Sequence, residues 1–485
     1  MMTTAIPTNQ CAFTLAEVVE AIGGRRRSST LASAAGIRGV SIDTRSLAPG
    51  DLFVALRGDT SDGHDYLAQA ADRGAAGAVV EAGKQYRAQD SPLVCIEVPD
   101  TLAALGRLAH RHLARIRSSR QLPVLAIGGA VGKTTTKELT AAVTRTLFGA
   151  TLSTPGNLNN LIGVPMTIFT LTGEHNAAIL ECGTNTRGEI PKLASIVEPD
   201  VAMVLNVDLE HSEGLGTLDE IADEEAALFS TATRYAVASA DEPLVLARVP
   251  KRLKLITFGK SPDATVRLRG RIVGDRSRIQ VSIARALVSA GVDPFIETEI
   301  GLFGETAALN CTAAIAALAA MRSTPFEASD LAAIADALAA AKPVAGRFST
   351  SSIRGVLVID DTYNSNPRSI RAALGAAREI SGGLGALLVI AMGDMLELGA
   401  MSADAHIDAV RDIIREQPAA FVAVGPEMRA ALVAVAGSSL PPGVFVAPDS
   451  DAASQLVVGL IHTGDVLLVK GSRGIAMERI IAALA

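Results

Sequence analysis

One stretch, Val124 to Thr140 (VLAIGGAVGKTTTKELT), limits what this chain can fold into more than any other. Apolar Val124 to Ile127 reads as a buried strand. Glycines at 128, 129 and 132 then break regular structure, and Lys133, three threonines and a helical pattern from Lys137 to Val143 follow. Strand, glycine turn, lysine and helix start together describe a phosphate cradle. Backbone N–H groups at a helix start lack partners, and the helix dipole favours an anion there. Glycine lets the backbone approach phosphate oxygens closely. Lys133 would reach the terminal phosphates, and a hydroxyl of Thr134 or Thr135 would hold Mg²⁺. The pattern is the short form Gly129-x-x-Gly132-Lys133-Thr134, because G-x-x-x-x-G-K-[ST] requires glycine where Ile127 stands. An ordinary βα turn carrying Gly-Lys-Thr by chance is the alternative.

A chain of 485 residues exceeds one domain, and two to four are expected. With no Trp, 4 Tyr and 12 Phe, its cores must be built from Ala, Val, Leu and Ile, as in helix-on-sheet α/β proteins. A net charge of −7 argues against a general nucleic-acid binder. Cys11, Cys95, Cys182 and Cys311 form no CxxC pair, so neither disulfides nor zinc are expected, and a reducing cytoplasm is. MMTTAIPTNQ does not read as a signal peptide, and no apolar stretch reaches membrane length.

The first part opens with a helix over Phe13–Ile22; Arg25 to Ser29 then reads as a solvated loop. Strands Val40–Ile42 and Leu52–Leu56 end in Asp43-Thr44-Arg45-Ser46 and, further on, Asp62-Gly63-His64. Polar residues after strands sit where open α/β sheets place ligands, so Asp43, Arg45, Asp62 and His64 are candidates for a phosphate-bearing or sugar ligand. Turns and helix caps explain the same composition. A helix over Thr101–Ile116 precedes the phosphate loop. Beyond it, Asn157, Asn159 and Asn160 crowd a loop that suits a substrate and Mg²⁺ shell or simply a turn. Glu181, closing the apolar run Ala177–Leu180, is a natural magnesium ligand, since Mg²⁺ takes hard oxygens and few carboxylates. His211, after the run Val201–Leu205, is either a ligand or a structural histidine. Residues 252–300 read as a β-rich insert, followed by helices over Leu309–Met321 and Ala328–Ala340. From about 343 strands and helices alternate again, implying a second, mostly parallel sheet.

GKTTTKE at 132–138, TPGNLNNLIGVPMT at 154–167, ECGTNTRGEI at 181–190, IDDTYNSNP at 359–367, MGDMLELG at 392–399 and VKGSRG at 469–474 occur in that order. This series resembles the Mur ligases, over nearly the whole chain. The resemblance implies an α/β enzyme of three domains: a UDP-sugar-peptide-binding domain over 1–100, a central ATP-binding domain with a P-loop-type, mostly parallel sheet over 101–342, and a Rossmann-like C-terminal domain over 343–485. It implies a cytoplasmic, monomeric ligase of peptidoglycan assembly. ATP and Mg²⁺ would serve it, with UDP-N-acetylmuramoyl-tripeptide and D-alanyl-D-alanine as partners. Carried over by motif, Gly129, Gly132, Lys133, Thr134 and Thr135 would hold the ATP phosphates, and Asn310 would lie near the adenine. Thr134, Glu181 and His211 would hold magnesium. Asn157, Asn159 and Asn160 would line the region between ATP and the sugar-peptide. Arg347 and Asp361 would bring the last domain to the nucleotide, and Asn364, Asn366, Lys470 and Arg473 would meet the dipeptide or acyl phosphate. Asp43, Arg45, Asp62 and His64 would serve the UDP end.

Four positions depart from that pattern. Ala130 stands where the family's phosphate loop has Ser or Thr. Glu225 stands in place of a lysine that CO₂ carbamylates, and would join the metal ligands as a ready-made carboxylate. Thr306 and Ala307 replace a His-Asn pair near the adenine, with Asn310 retained. A divergent paralogue with altered nucleotide use and a non-catalytic muropeptide-binding protein are the alternatives; the latter sits poorly with the retained Lys133 and Glu181. A folylpolyglutamate-synthase type of amide ligase is disfavoured by the first domain.

Overall fold

Along Val124–Gly128, Val124 and Ala126 enter one hydrophobic core while Leu125 and Ile127 enter another. A strand apolar at every residue is stable only where helices cover both faces of its sheet. The computed structural model describes residues 4–27, 36–58, 60–83, 93–273, 276–437 and 440–485, and builds them on three sheets. In the nine-stranded central sheet, Val124–Gly128 lies between Ala177–Glu181 and Val201–Val204, parallel to both. The connections leaving Val124–Gly128 and Val201–Val204 run to opposite sides of the sheet, and between two such strands doubly wound sheets open a crevice for ligands.

The strands expected to form an insert instead extend this sheet. Lys254–Gly259 continues it in parallel, and Val266–Val273, Ser277–Ile283 and Phe295–Ile300 complete it, the last two pairings antiparallel. Their inward residues Val266, Ile279, Val281 and Ile296 share a core with the alanine-rich helix Glu305–Met321. Small side chains let that helix lie close to helix Lys133–Phe148.

The first sheet is parallel over Gly39–Ser41, Asp51–Val54, Gly77–Glu81 and Cys95–Val98. Arg25–Arg27, read from its charge as a loop, pairs antiparallel with Cys95–Val98 at the sheet edge, where Arg25 and Arg26 stay exposed. Charge on an edge strand is common because one side faces water; Ser28 and Ser29 lie outside the described residues. One continuous core joins this sheet (Val40, Leu52, Val54, Val79, Ile96) to helix Thr101–Ser119 and to one face of the central sheet. The third sheet, from Ser349–Ile353 to Val444–Ala447, is parallel except for the Ser349–Ile353 edge, and has its own two cores. Its longest helix is Pro367–Leu384. Among the described residues no helix is long and apolar enough to cross a membrane.

Candidate functional site

The phosphate loop is held from behind by side chains. Asn206, just after Val201–Val204, accepts from Val131 N–H and donates to Val131 C=O, both at 2.8 Å, and its own carbonyl accepts from Ala130 N–H. Glycine is required twice. At Gly129 (φ +117°) a Cβ would stand 2.9 Å from Leu205 N, and at Gly132 (φ +94°) it would stand 2.7 Å from Asn310 Oδ1. Helix Lys133–Phe148 begins immediately after Gly132, so its first N–H groups face the crevice. Lys137, fully buried on that helix, donates to Thr154 C=O at 2.6 Å and pins the start of the asparagine loop.

A cleft of about 510 Å³ opens here, between the central unit and the third sheet's unit. Gly132, Lys133, Thr135, Asn157, Asn159, Asn160, Glu181, His211 and Asn310 line one side. Arg347, Asp361, Asn364, Asn366, Lys470 and Arg473 line the other. Most residues singled out in the sequence thus meet in one space. Gly129, Thr134 and Glu225 lie behind its wall, and Asp43, Arg45, Asp62 and His64 do not border it. His64 is an internal pin: Nδ1 sits 2.6 Å from Asp62 and Nε2 accepts from Glu81 N–H, which fixes the turn to the end of Gly77–Glu81. Asp43 pairs with the exposed Arg45 at 2.7 Å.

The expected metal ligands take different partners. Thr134 Oγ1 lies 3.0 Å from both oxygens of Glu181, and Asn159 donates to the same carboxylate at 2.9 Å. Glu225 instead accepts from Gly129 N–H at 2.6 Å beneath the loop. His211 pairs with Glu397, which reaches over from the third unit. His211 (φ +53°), Phe348 (φ +54°) and Glu397 (φ +64°) all hold the left-handed backbone region. For non-glycine residues that is sparsely populated, and such strain gathers at sites the surrounding structure over-determines. Among the described residues no group of three or more His, Cys, Asp and Glu is placed to hold a metal. A Mg²⁺ bound through one carboxylate, a hydroxyl and substrate phosphates needs no such group.

Two asparagines hold local backbone. Asn366 accepts from Ser369 N–H at 2.8 Å and starts helix Pro367–Leu384; Asn160 accepts from Ile162 N–H at 3.1 Å and Gly163 N–H at 2.8 Å, closing the turn that leads into helix Gly163–Phe169, whose N-cap is Ile162. On the far wall, Asp361 accepts from Lys470 at 2.7 Å and from Phe348 N–H at 3.0 Å. The Tyr363 ring carries two guanidinium groups, Arg347 at 3.9 Å and Arg473 at 5.5 Å from its centroid.

Charge in the cleft is unevenly placed. Lys133 Nζ folds back onto Gly129 C=O and, at 3.1 Å, Ala130 C=O. Burial works against its charge, but the carboxylates of Glu210, Glu225 and Glu181 outweigh that and hold its pKa above the ordinary value. Burial also pushes the pKa of Glu225 up, from 4.5 to about 7, favouring its neutral form against the pull of Lys133 and the Gly129 N–H. A carboxyl whose folded pKa is raised contributes stability that is full below about pH 4.5 and is lost as pH rises through about 7. At this one group the nucleotide-free protein therefore loses stability between pH 5 and pH 8. Glu225→Gln removes that share of the slope and is the more stable of the two proteins at pH 8. Equal slopes in calorimetric melts of the two proteins would refute this.

Sequence reasoning passed over Asn206, Glu210, Lys137 and Tyr363. Asn206 and Glu210 follow a strand's C-terminal end, the signal that selected Glu181 and His211, and Tyr363 lies within the Asn364 motif. Lys137 carries no signal apart from its place in GKTTTKE.

Three stretches match known family descriptions: "Mur ligase family, catalytic domain" over residues 36–113, "Mur ligase middle domain" over 127–318, and "Mur ligase, glutamate ligase domain" over 346–473. The chain is 33% identical over 475 residues to the UDP-N-acetylmuramoyl-tripeptide–D-alanyl-D-alanine ligase of Treponema pallidum, covering 96% of this chain and 97% of that one. It is 34% identical to the Escherichia coli enzyme of the same name, covering 97% and 98%. Among solved structures it superposes on MurF from Acinetobacter baumannii with a TM-score of 0.84 at 28% identity, covering 98% of both chains.

Proposed function

This chain belongs to the Mur ligase family, and on that premise we propose that it joins D-alanyl-D-alanine to UDP-N-acetylmuramoyl-tripeptide, with ATP supplying the leaving group. The single observation that carries the reading is the cleft, with a phosphate loop on one wall and Asn364, Lys470 and Arg473 on the other. A carboxylate is a poor electrophile. Its oxygen attacks the γ-phosphorus of ATP, ADP leaves, and the acyl phosphate that results can be attacked by the dipeptide amine. Collapse of the tetrahedral intermediate expels phosphate and forms the amide bond. Little proton chemistry falls to the protein, so positioning and charge neutralisation dominate.

Lys133 and the N–H groups of the loop are the candidates for neutralising the β- and γ-phosphates. Thr134 and Glu181, already in contact, offer the hard oxygens that Mg²⁺ takes; bound there it would offset charge developing on the phosphates. Arg347 and Arg473, aligned on Tyr363, are suited to the phosphoryl group from the opposite side. The exposed Asp43–Arg45 pair is our candidate for the UDP end. One chain furnishes both walls, so we take the monomer as the acting unit. Four buried cysteines, far apart in the sequence, support a reducing, cytoplasmic setting.

The direct test is phosphate release from ATP with UDP-N-acetylmuramoyl-tripeptide, with and without D-alanyl-D-alanine. Release that needs both acceptors supports the reading, and release indifferent to the dipeptide overturns it. A second expectation concerns Glu225. Because a carboxylate stands where the family carbamylates a lysine, added bicarbonate leaves the rate unchanged. Clear stimulation by bicarbonate in CO₂-depleted buffer would show that a lysine elsewhere is modified.

A further inference from the structure

Glu210 sits between the two walls and touches both. One carboxylate oxygen lies 3.6 Å from Lys133 Nζ, and the other accepts from Asn364 Nδ2 at 3.1 Å. Its side chain is 13% exposed and that of Lys133 15%, so water screens the pair weakly. Of the three carboxylates near Lys133, the other two are held by different donors: Glu225 by Gly129 N–H, and Glu181 by Thr134 and Asn159. Glu210 is paired with the phosphate-loop lysine on one side and an acceptor-side amide on the other.

We propose that Glu210 is the built-in counter-ion of the phosphate loop, exchanged for nucleotide phosphate on binding, and that this exchange frees the Asn364 amide for the incoming dipeptide. The inference rests on the reading of Lys133 as a phosphate ligand. A carboxylate and a phosphate oxygen cannot share one ammonium without repelling each other across a weakly screened gap. When phosphate arrives, Glu210 has to swing off Lys133, and its bond to Asn364 breaks with it. Other contacts between the units do not depend on Lys133. Asp208 accepts from Arg368 N–H at 2.8 Å, and Leu398 C=O accepts from Ser212 at 3.0 Å. The exchange therefore liberates one side chain and leaves the two units docked. Glu210 acts here as a positioning residue: it sets the resting state of Lys133 and Asn364.

The test is calorimetric binding of the non-hydrolysable analogue AMP-PCP, with and without Mg²⁺, to the full-length wild type and Glu210→Gln, whose amide keeps an acceptor for Asn364 but loses the charge. Without metal, Glu210→Gln is expected to bind about tenfold tighter than wild type, because the competitor is gone. In steady state its KM for ATP falls relative to kcat, a split that a structural defect would not produce. Asn364→Ala is expected to tighten analogue binding in the wild-type background and to leave it unchanged in Glu210→Ala. Glu210→Gln binding no tighter than wild type, or weaker only when Mg²⁺ is present, overturns the inference; the latter would make Glu210 a metal ligand. Wild type failing to bind the analogue overturns the phosphate-loop reading, and this inference with it.

Discussion

Lys133→Ala abolishes ATP-dependent phosphate release, lowering it by about a thousandfold or more. The ammonium is the cation nearest the glycine loop, and three carboxylates hold it charged. No neighbour can replace it: Lys137 is turned into the core onto Thr154, and Arg347 and Arg473 are stacked on Tyr363 across the cleft. Without Lys133 the cleft presents Glu181 and Glu210 to an incoming polyanion, so nucleotide binding suffers along with the transfer step. Lys133→Gln, of similar length and uncharged, separates loss of charge from loss of bulk and is expected to be nearly as inactive. Circular dichroism and thermal melts show whether each variant is folded. A folded variant with unchanged phosphate release would refute the loop assignment.

Lys470→Met is the second large effect, and it acts on the opposite wall. The Lys470 side chain is 1% exposed, and its ammonium donates to Asp361 at 2.7 Å and to Asn364 C=O at 2.8 Å. Removing one partner of a buried ion pair leaves the other charge uncompensated, which costs about 3–5 kcal/mol, whereas removing both together is far milder. Lys470→Met is therefore expected to be destabilised by about 3 kcal/mol and to lose activity, since Asp361 also holds Phe348 N–H beside Arg347. Lys470→Met combined with Asp361→Asn regains part of the stability but not the activity. Urea denaturation of the full chain reads the first effect and phosphate release the second. A single variant as stable as wild type would show that the pair is not a structural tie.

The sequence made the phosphate loop legible because glycine, lysine and a helix start obey local rules. The strands on either side were legible because they are apolar without interruption. What remained hidden was set by long-range contacts. Arg25–Arg27 reads as a loop from its charge, and only its pairing with Cys95–Val98 makes it a strand. The strands between 254 and 300 alternate like any half-buried ribbon, and nothing local says that they extend the central sheet. Asn160 and Asn366 are equally good as turn or cap residues and as substrate ligands, and their hydrogen bonds show Asn160 closing a turn and Asn366 capping a helix. Glu225 is singled out by resemblance alone, and the bond of its carboxylate to Gly129 N–H under the loop is decided by the packing of helix Leu218–Ala226.

The core shared by the first sheet, helix Thr101–Ser119 and the central sheet has a mechanical consequence. Those two units form a single rigid jaw, because sliding one on the other would expose Leu105, Leu108 and the side chains packed around them. The third unit has cores of its own and meets that jaw largely through polar clasps at Asn364, Arg368, Glu397 and Leu398. Hydrogen bonds of that kind can be traded for water at small net expense. Any change in the width of the cleft is therefore easiest between the third unit and that jaw, across the connection Pro343–Phe348, with the phosphate loop's own surroundings left unchanged.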